Sequence, residues 1–179
     1  CPYHDRRALE VVKAIIREVK PDVLDILGDY LELESLSRHP KSRPDTAKLS
    51  AEYYAGNLLL DELQEAHQGR KARLLEGNHE NRASRYEAEW GQLDGMLSVP
   101  VALYLLPKGE YHRETSTLRG IEWVPLRMQP FVVGNTALLH GVFESQYHAY
   151  MTAMHLGPRT GGRYLYSGHM HGFQSFVSP

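Results

Sequence analysis

Two segments in the first half of the chain have the apolar spacing of amphipathic helices. Over 9–19, apolar residues recur every three or four positions, which is the period of one helix face. Asp5 stands where an N-cap is expected, and Pro21 prevents the helix from continuing. A polar stretch at 35–45 contains two prolines and predicts a loop, and the helical period returns over 46–69.

Short apolar runs predict strands between and after these helices. The predicted strands are 23–27, 72–75, 121–124, 131–133, 136–139 and 163–166. Because strands and helices alternate in the first half, that part is expected to form a parallel sheet. After position 121 the strands are separated by proline or Gly134-Asn135, which predicts meandering strands, with a last helix over 144–155.

Four polar clusters each follow a predicted strand. They are Gly28-Asp29, Gly77-Asn78-His79-Glu80, His140-Gly141 and Gly168-His169-Met170-His171. Open α/β sheets bind ligands at the carboxyl ends of their strands, and Asp, Asn and His supply ligand atoms that suit manganese, iron or zinc. In the last cluster, strand alternation would turn both histidine rings to one face. The clusters therefore predict a metal site.

Composition and charge narrow the class of protein. The 179 residues are 42% hydrophobic, carry a formal charge of −2 and include one cysteine. This composition predicts a globular domain and excludes an intrachain disulfide or a cysteine-rich zinc site. No run approaches the ~18 apolar residues of a membrane span, and the N-terminus lacks the apolar core of a signal peptide. The expected location is cytoplasmic, without a membrane partner.

Taken in order, the four clusters resemble the motif series of the calcineurin-like metallophosphoesterase superfamily, in particular its small bacterial and phage members. The resemblance covers about positions 21 to 172. It implies an α/β fold, an αββα sandwich of two mixed β-sheets flanked by helices, in a single domain over 1–179. It also implies two divalent metal ions, with manganese expected and iron, zinc, nickel or magnesium as alternatives.

The same resemblance assigns roles to the residues of the clusters. The metal ligands that it implies are Asp29, Asn78, His140, His169 and His171. Asp29 would bridge the two ions, and His171 would bind the ion that the other three do not complete. His79 would stay off the metals and protonate the leaving oxygen, with Glu80 orienting its ring. The implied reaction is hydrolysis of a phosphate ester at a binuclear metal centre.

The family pattern begins with Asp-x-His on a first strand, and no such pair precedes Asp29. The resemblance places this strand upstream of Cys1, because residues 2–5 are similar to those that follow it. The chain also stops at Pro179 just after an apolar run, so a domain truncated at both ends is expected. If the pair is absent altogether, the expected protein is a binding module with impaired catalysis.

Two arginines are candidates for binding the phosphate of the substrate. Arg82 follows the metal-site cluster at 77–80, and Arg38 opens a loop over 38–48 in which four basic residues face one acidic residue. The alternative is that both belong to a solvated charged surface. The expected substrate is a phosphodiester, with nucleotides and nucleic acids among the candidates, and the alternative is a phosphomonoester.

Overall fold

Strands and helices alternate in the first part of the chain, over residues 6–89, and three consecutive strands follow over 121–139. The computed structural model describes residues 4–38, 48–93, 95–105, 119–126, 130–141, 147–160 and 164–169. In these ranges it has a mixed α/β fold with two three-stranded sheets and five α-helices. The helices are α1 (Arg6–Val19), α2 (Leu49–Ala66), α3 (Asn81–Glu89), α4 (Val99–Ala102) and α5 (His148–Leu156). The strands are β1 (Val23–Ile26), β2 (Lys71–Leu75), β3 (Ile121–Val124), β4 (Phe131–Val133), β5 (Thr136–Leu139) and β6 (Tyr164–Ser167).

The first helix begins where the sequence predicts it. The Asp5 carboxylate accepts hydrogen bonds from two amides of the first turn, which are otherwise without partners in a helix. Leu9 and Ile16 are buried, since α1 packs on α2 along this line. The other apolar positions of the predicted face are exposed: Val12, Ile15 and Val19. The helix is therefore confirmed, whereas the extent of its buried face is smaller than the period indicates.

The first sheet has the order β1-β2-β3, and all three strands run parallel. The parallel pairing predicted from the alternation of strands and helices is confirmed for β1 and β2. The expectation that β3 begins a meander is wrong, because β3 pairs with β2 instead of β4. In this position β3 buries Ile121 and Trp123 within the main apolar core.

The second sheet has the order β4-β5-β6 and is mixed. Strands β4 and β5 form an antiparallel hairpin around Gly134-Asn135, so this one connection of the predicted meander is confirmed. Strand β6 runs parallel to β5, and helix α5 lies between them in the chain, as a parallel connection requires. The guanidinium of Arg73 on β2 lies 4.8 Å from the ring centroid of Phe131 on β4. This contact joins a strand of the first sheet to a strand of the second.

The loop that follows β1 is anchored in the main core. Its side chains Leu31 and Leu33 are fully buried, and the Tyr30 hydroxyl donates a 2.6 Å hydrogen bond to the carbonyl of Gly56 on α2. Around them pack apolar residues of α2, β2, β3 and the segment after α4: Leu60, Leu74, Leu103, Leu105 and Ile121. The backbone that carries Asp29 is therefore held on a packed surface, although it is formally a loop.

None of the helices in the described ranges is both long enough and apolar enough to cross a membrane. The longest is α2, with 18 residues, and it contains four acidic side chains. A span needs about 20 predominantly apolar residues.

Candidate metal centre

Four polar side chains that follow four different strands meet at one point. Asp29 follows β1, Asn78 follows β2, His140 comes directly after β5, and His169 follows β6. Because β1 is parallel to β2, and β5 to β6, each pair of carboxyl ends lies at one edge of its sheet. The two sheets bring these edges together. The structure thus places these four predicted ligands in one cluster.

The distances between the ligand atoms suit a single ion. The Asn78 amide lies 2.9 Å from His140 Nε2, 2.8 Å from His169 Nδ1 and 3.1 Å from Asp29 Oδ2. His140 Nε2 is 3.2 Å from both Asp29 Oδ2 and His169 Nδ1, and the remaining distance, from Asp29 Oδ2 to His169 Nδ1, is 4.0 Å. Metal–ligand bonds of about 2.1 Å hold neighbouring ligand atoms roughly 3.0–3.4 Å apart and opposite ones about 4.2 Å apart. The residues present therefore fit one divalent ion.

The tautomer of His140 is fixed by the backbone. Its Nδ1 lies 2.7 Å from the carbonyl oxygen of Leu27, which only accepts, so Nδ1 carries the proton and donates. The lone pair of Nε2 then points at Asp29 and Asn78. A hydrogen bond from the second ring nitrogen to a carbonyl is the usual support of a metal-binding histidine.

Charge is concentrated on the carboxylate of Asp29. Burial by itself raises the pKa of Asp29, but hydrogen bonds from His140 and from the backbone N–H of His79 lower it further, so the net pKa lies below the usual value. For His140, burial lowers the pKa, and its contacts with Asp29 and the Leu27 carbonyl reverse this to a net increase. Asp29 is therefore an anion at neutral pH. Its charge stabilises a positive charge beside it, either on protonated His140 or on a bound metal cation.

The orientation of the Asn78 amide depends on whether a metal cation is bound at the centre. When no cation is bound and His140 Nε2 is unprotonated, the amide nitrogen is favoured in the centre, where it donates to both Asp29 oxygens at 3.1 and 3.2 Å and to His140 Nε2 at 2.9 Å. With a cation, the amide oxygen is favoured there, because it is the atom that coordinates metals. A side chain that reaches both histidines and the carboxylate in this way can complete the ligand set without adding charge.

The backbone at the site is in unusual conformations. Asp29 has φ 49° and His169 has φ 75°, in the left-handed region that costs a non-glycine residue of the order of 1–3 kcal/mol. Strand β6 ends at Ser167, so the expectation that His169 follows strand alternation is wrong. The left-handed turn is what directs its ring to Asn78. His171, the fifth predicted ligand, lies outside the described residues, and so does any second ion site that depends on it.

Glycines let the site backbones approach closely. Gly28 has φ 83°, and a Cβ there would lie 2.6 Å from His140 Nδ1. A Cβ on Gly168 would lie 2.7 Å from the carbonyl oxygen of Leu27. Both positions therefore exclude a side chain, and this is why a glycine stands beside Asp29 and beside His169.

Glu80 contacts the backbone of the site, in contrast to the expectation that it orients the ring of His79. It is fully buried; Oε2 accepts hydrogen bonds from the amides of Asp29 (3.0 Å) and Gly77 (2.9 Å), and Oε1 from the amide of Leu31 (2.6 Å). Burial raises its pKa to about 7, although these hydrogen bonds act in the opposite direction. Glu80 joins the loops after β1 and β2 and thereby sets the position of Asp29.

Glu80→Ala is expected to lower the free energy of unfolding by about 3 kcal/mol, because three buried amides lose their acceptor. Urea denaturation measures this effect. The matched control is Glu65→Ala at an exposed position of α2, which is expected to change stability by less than about 0.5 kcal/mol. If both substitutions lower the free energy of unfolding equally, Glu80 does not stabilise the loops after β1 and β2.

His79 lies beside the ligand cluster without joining it. Its backbone N–H donates to Asp29 Oδ1 at 3.0 Å, while its ring Nε2 is 4.0 Å from Asp29 Oδ2. The carboxylate near the other ring nitrogen is Glu32, with Oε1 3.7 Å from Nδ1. Burial lowers the pKa of His79 more than these carboxylates raise it. Glu32 was not predicted from the sequence, because only the path of the loop after Asp29 brings it to the ring.

The two predicted phosphate-binding arginines line one cleft. Arg82 donates from Nη1 to the carbonyl oxygen of Glu32 at 2.6 Å, and Arg38 forms an ion pair with Glu89. Together with Arg85 they line a cavity of 270 Å³ beside α3. The rest of the predicted basic loop, 39–47, lies outside the described residues.

Comparisons of the chain with models of protein families, with curated proteins and with solved structures found no match. Within the described ranges, one group of histidine and acidic side chains has the mutual distances of metal ligands: Asp29, His140 and His169. Function must therefore be inferred from the chemistry of this group and of the side chains around it.

Proposed function

We propose that this protein is a metal-dependent hydrolase of phosphate esters, with an αββα sandwich similar to that of the calcineurin-like metallophosphoesterases. The observation that carries the proposal is the convergence of Asp29, Asn78, His140 and His169 at the ends of four strands, with the ring of His79 at its side. A carboxylate, an amide and two imidazoles suit manganese, iron or zinc.

The four side chains of the cluster would hold one divalent ion, and His171 would bind a second, as the resemblance to this superfamily implies. An ion bound there would act as a Lewis acid on the phosphoryl oxygens. Asp29 provides the negative charge, and the backbone N–H of His79 fixes its Oδ1 so that Oδ2 faces the two histidines. Glu80 and the glycines hold the surrounding backbone, so the ligands need little rearrangement to bind a metal.

His79 has the position of a general acid. In the hydrolysis, the oxygen of water bonds to phosphorus and releases a proton to the solvent, the bond from phosphorus to the leaving oxygen breaks, and that oxygen takes up a proton from a general acid, which the solvent then reprotonates. The His79 ring is partly accessible, and its Nε2 points towards the cluster from 4.0 Å without being a ligand. Glu32 beside Nδ1 stabilises the protonated ring, so His79 can supply this proton.

His79→Ala is expected to leave the metal content unchanged and to lower kcat by about 100- to 10,000-fold, which is the usual contribution of a general acid. Metal analysis and steady-state kinetics measure the two effects on one sample. His155→Ala, at an exposed histidine of α5 outside the cluster, is the matched control and should retain full activity. Loss of metal from the His79 variant would show that His79 is a ligand.

The proposal is tested by metal analysis of the full-length protein, followed by assays on bis(p-nitrophenyl) phosphate and p-nitrophenyl phosphate with added manganese. Bound transition metal together with turnover of either ester supports a phosphoesterase, and the preferred ester separates diesterase from monoesterase. Protein without metal and without turnover of either ester would contradict the proposal and favour the binding module.

A further inference from the structure

Helix α3 carries a continuous polar and aromatic face that begins at the candidate metal centre. The helix starts directly after Glu80, within the loop that provides Asn78 and His79. Residues three, four, seven and eight positions apart share one side of a helix. On α3 and at its end these are Arg82, Arg85, Tyr86, Glu89 and Trp90. From the first to the last of them the face extends about 12 Å away from the centre.

The charge on this face is positive. Arg38, Arg82 and Arg85 line the cleft beside α3 together with a single acidic residue, Glu89. Glu89 is paired with Arg38, whereas Arg85 is exposed and forms no ion pair within the ranges that the structure describes. Arginine guanidinium groups bind phosphate through directed, charge-assisted hydrogen bonds. The cleft can therefore accept phosphate groups beyond the one at the metal centre.

Two exposed aromatic rings interleave with these arginines. Tyr86 and Trp90 are 36% and 49% exposed, and their ring centroids are 6.4 Å apart with an angle of 33° between the planes. A groove that combines cations with exposed aromatic rings is typical of proteins that bind single-stranded nucleic acid. The bases of a duplex are stacked on one another and are not available to stack on Tyr86 and Trp90. The exposed rings therefore favour a single strand.

We infer that the α3 face binds single-stranded nucleic acid, with backbone phosphates on Arg82 and Arg85 and bases stacked on Tyr86 and Trp90. The inference rests on the proposed function, since it continues the path of a phosphodiester substrate whose reacting phosphate lies at the metal centre. It makes single-stranded nucleic acid the substrate class. The net charge of the whole chain is −2, so the binding is local and depends on this face.

The experiment measures binding of a fluorescein-labelled oligothymidylate to the full-length protein by fluorescence anisotropy, without divalent metal so that no cleavage occurs. Trp90→Ala is expected to weaken binding by about 5- to 150-fold, the contribution of one stacked base, and Trp90→Phe to restore most of it. Arg85→Ala is expected to reduce the slope of log K against log salt by about 0.7, the value for one phosphate contact of a single strand. Circular dichroism verifies that each variant is folded.

Two matched controls lie at the opposite edge of the sheets. Arg17 is in the last turn of α1, shortly before β1, and Tyr164 is an exposed residue at the start of β6. Arg17→Ala and Tyr164→Ala are expected to bind like the wild-type protein. If they weaken binding as much as Arg85→Ala and Trp90→Ala, the α3 face is not the binding surface.

Separate measurements distinguish this inference from the proposed function. If the wild-type protein hydrolyses bis(p-nitrophenyl) phosphate but does not bind the oligothymidylate, the inference is overturned and the phosphoesterase stands. The inference is also overturned if a duplex binds as tightly as the single-stranded oligothymidylate. The same holds if polyglutamate displaces the labelled oligothymidylate as well as an unlabelled oligothymidylate does. Binding of the oligothymidylate that depends on Trp90 and Arg85 supports the inference. If the same protein contains no metal and hydrolyses neither ester, that result contradicts the proposed phosphoesterase activity but not the binding of nucleic acid.

Discussion

Asp29→Asn is expected to lose metal binding and hydrolysis together. The substitution removes the only negative charge of the ligand cluster, whose other members are neutral when they bind a metal. Metal affinity is expected to fall by at least about 100-fold, because even partners outside the ligand set contribute 10- to 100-fold. The fold is expected to persist, since the asparagine oxygen can still accept the hydrogen bond from His79 N–H.

Thermal unfolding with and without manganese measures this loss without reference to a substrate. An ion that binds only the folded state raises Tm, so the wild-type protein gains stability from manganese and the variant does not. Asp22→Asn, at an exposed position before β1, is the matched control and should respond to manganese like the wild type. An Asp29→Asn protein with full metal content would contradict the assignment of the centre.

Gly77→Ala is expected to lower stability and metal binding more than any other glycine-to-alanine substitution in the site. An added Cβ would overlap the amide nitrogen and a carboxylate oxygen of Asp29 and would lie 2.8 Å from Glu80 Oε2. These atoms belong to the half-buried Asp29 and to the fully buried carboxylate of Glu80, and hydrogen bonds hold them in place, so they have little freedom to move aside. Overpacking of this kind costs about 1–3 kcal/mol, and here it also displaces the central ligand.

Urea denaturation and metal analysis of Gly77→Ala measure both consequences. The matched control is Gly157→Ala, because nothing lies within 4 Å of a Cβ at that position. The control is expected to keep its metal and to unfold within about 1 kcal/mol of the wild type. A Gly77→Ala protein that is as stable and as metal-rich as the control would show that the close packing at Gly77 does not position Asp29.

Local pattern was sufficient to predict most strands, the amphipathic helices and the polar residues at the strand ends, whereas the segment between α3 and β3 had no clear pattern. Strands β3, β4 and β5 have the bounds that their apolar runs indicate, and α1 begins at the predicted cap Asp5. Polar residues after a strand must lie at the carboxyl edge of its sheet, whichever strands are neighbours. This rule places Asp29 and Asn78 at the edge of one sheet and His140 and His169 at the edge of the other, and the predicted convergence of all four depends in addition on how the two edges meet.

The hydrogen bonds that hold the ligands of the candidate centre in place could not be predicted from local pattern. The hydrogen bond of His140 to Leu27 joins residues 113 positions apart, and Glu80 reaches the amide of Asp29 across 51 positions. Each depends on how closely two loops approach. The carboxylate beside Nδ1 of His79 is that of Glu32 and not the predicted Glu80, because the loop after Asp29 carries Glu32 to the ring.

The sequence by itself determined the amphipathic helices, the short strands and the polar clusters that follow them, because hydrophobic period and residue chemistry are local properties. The roles of Asp29, Asn78, His140 and His169 as ligands were implied by the resemblance to a known family. Only the tertiary structure decided that β3 joins the first sheet, that His169 adopts a left-handed backbone, and that the edges of two separate sheets meet at the candidate centre. These features depend on which surfaces pack together, and that choice is made by burial and hydrogen bonding over the whole core rather than by any short segment.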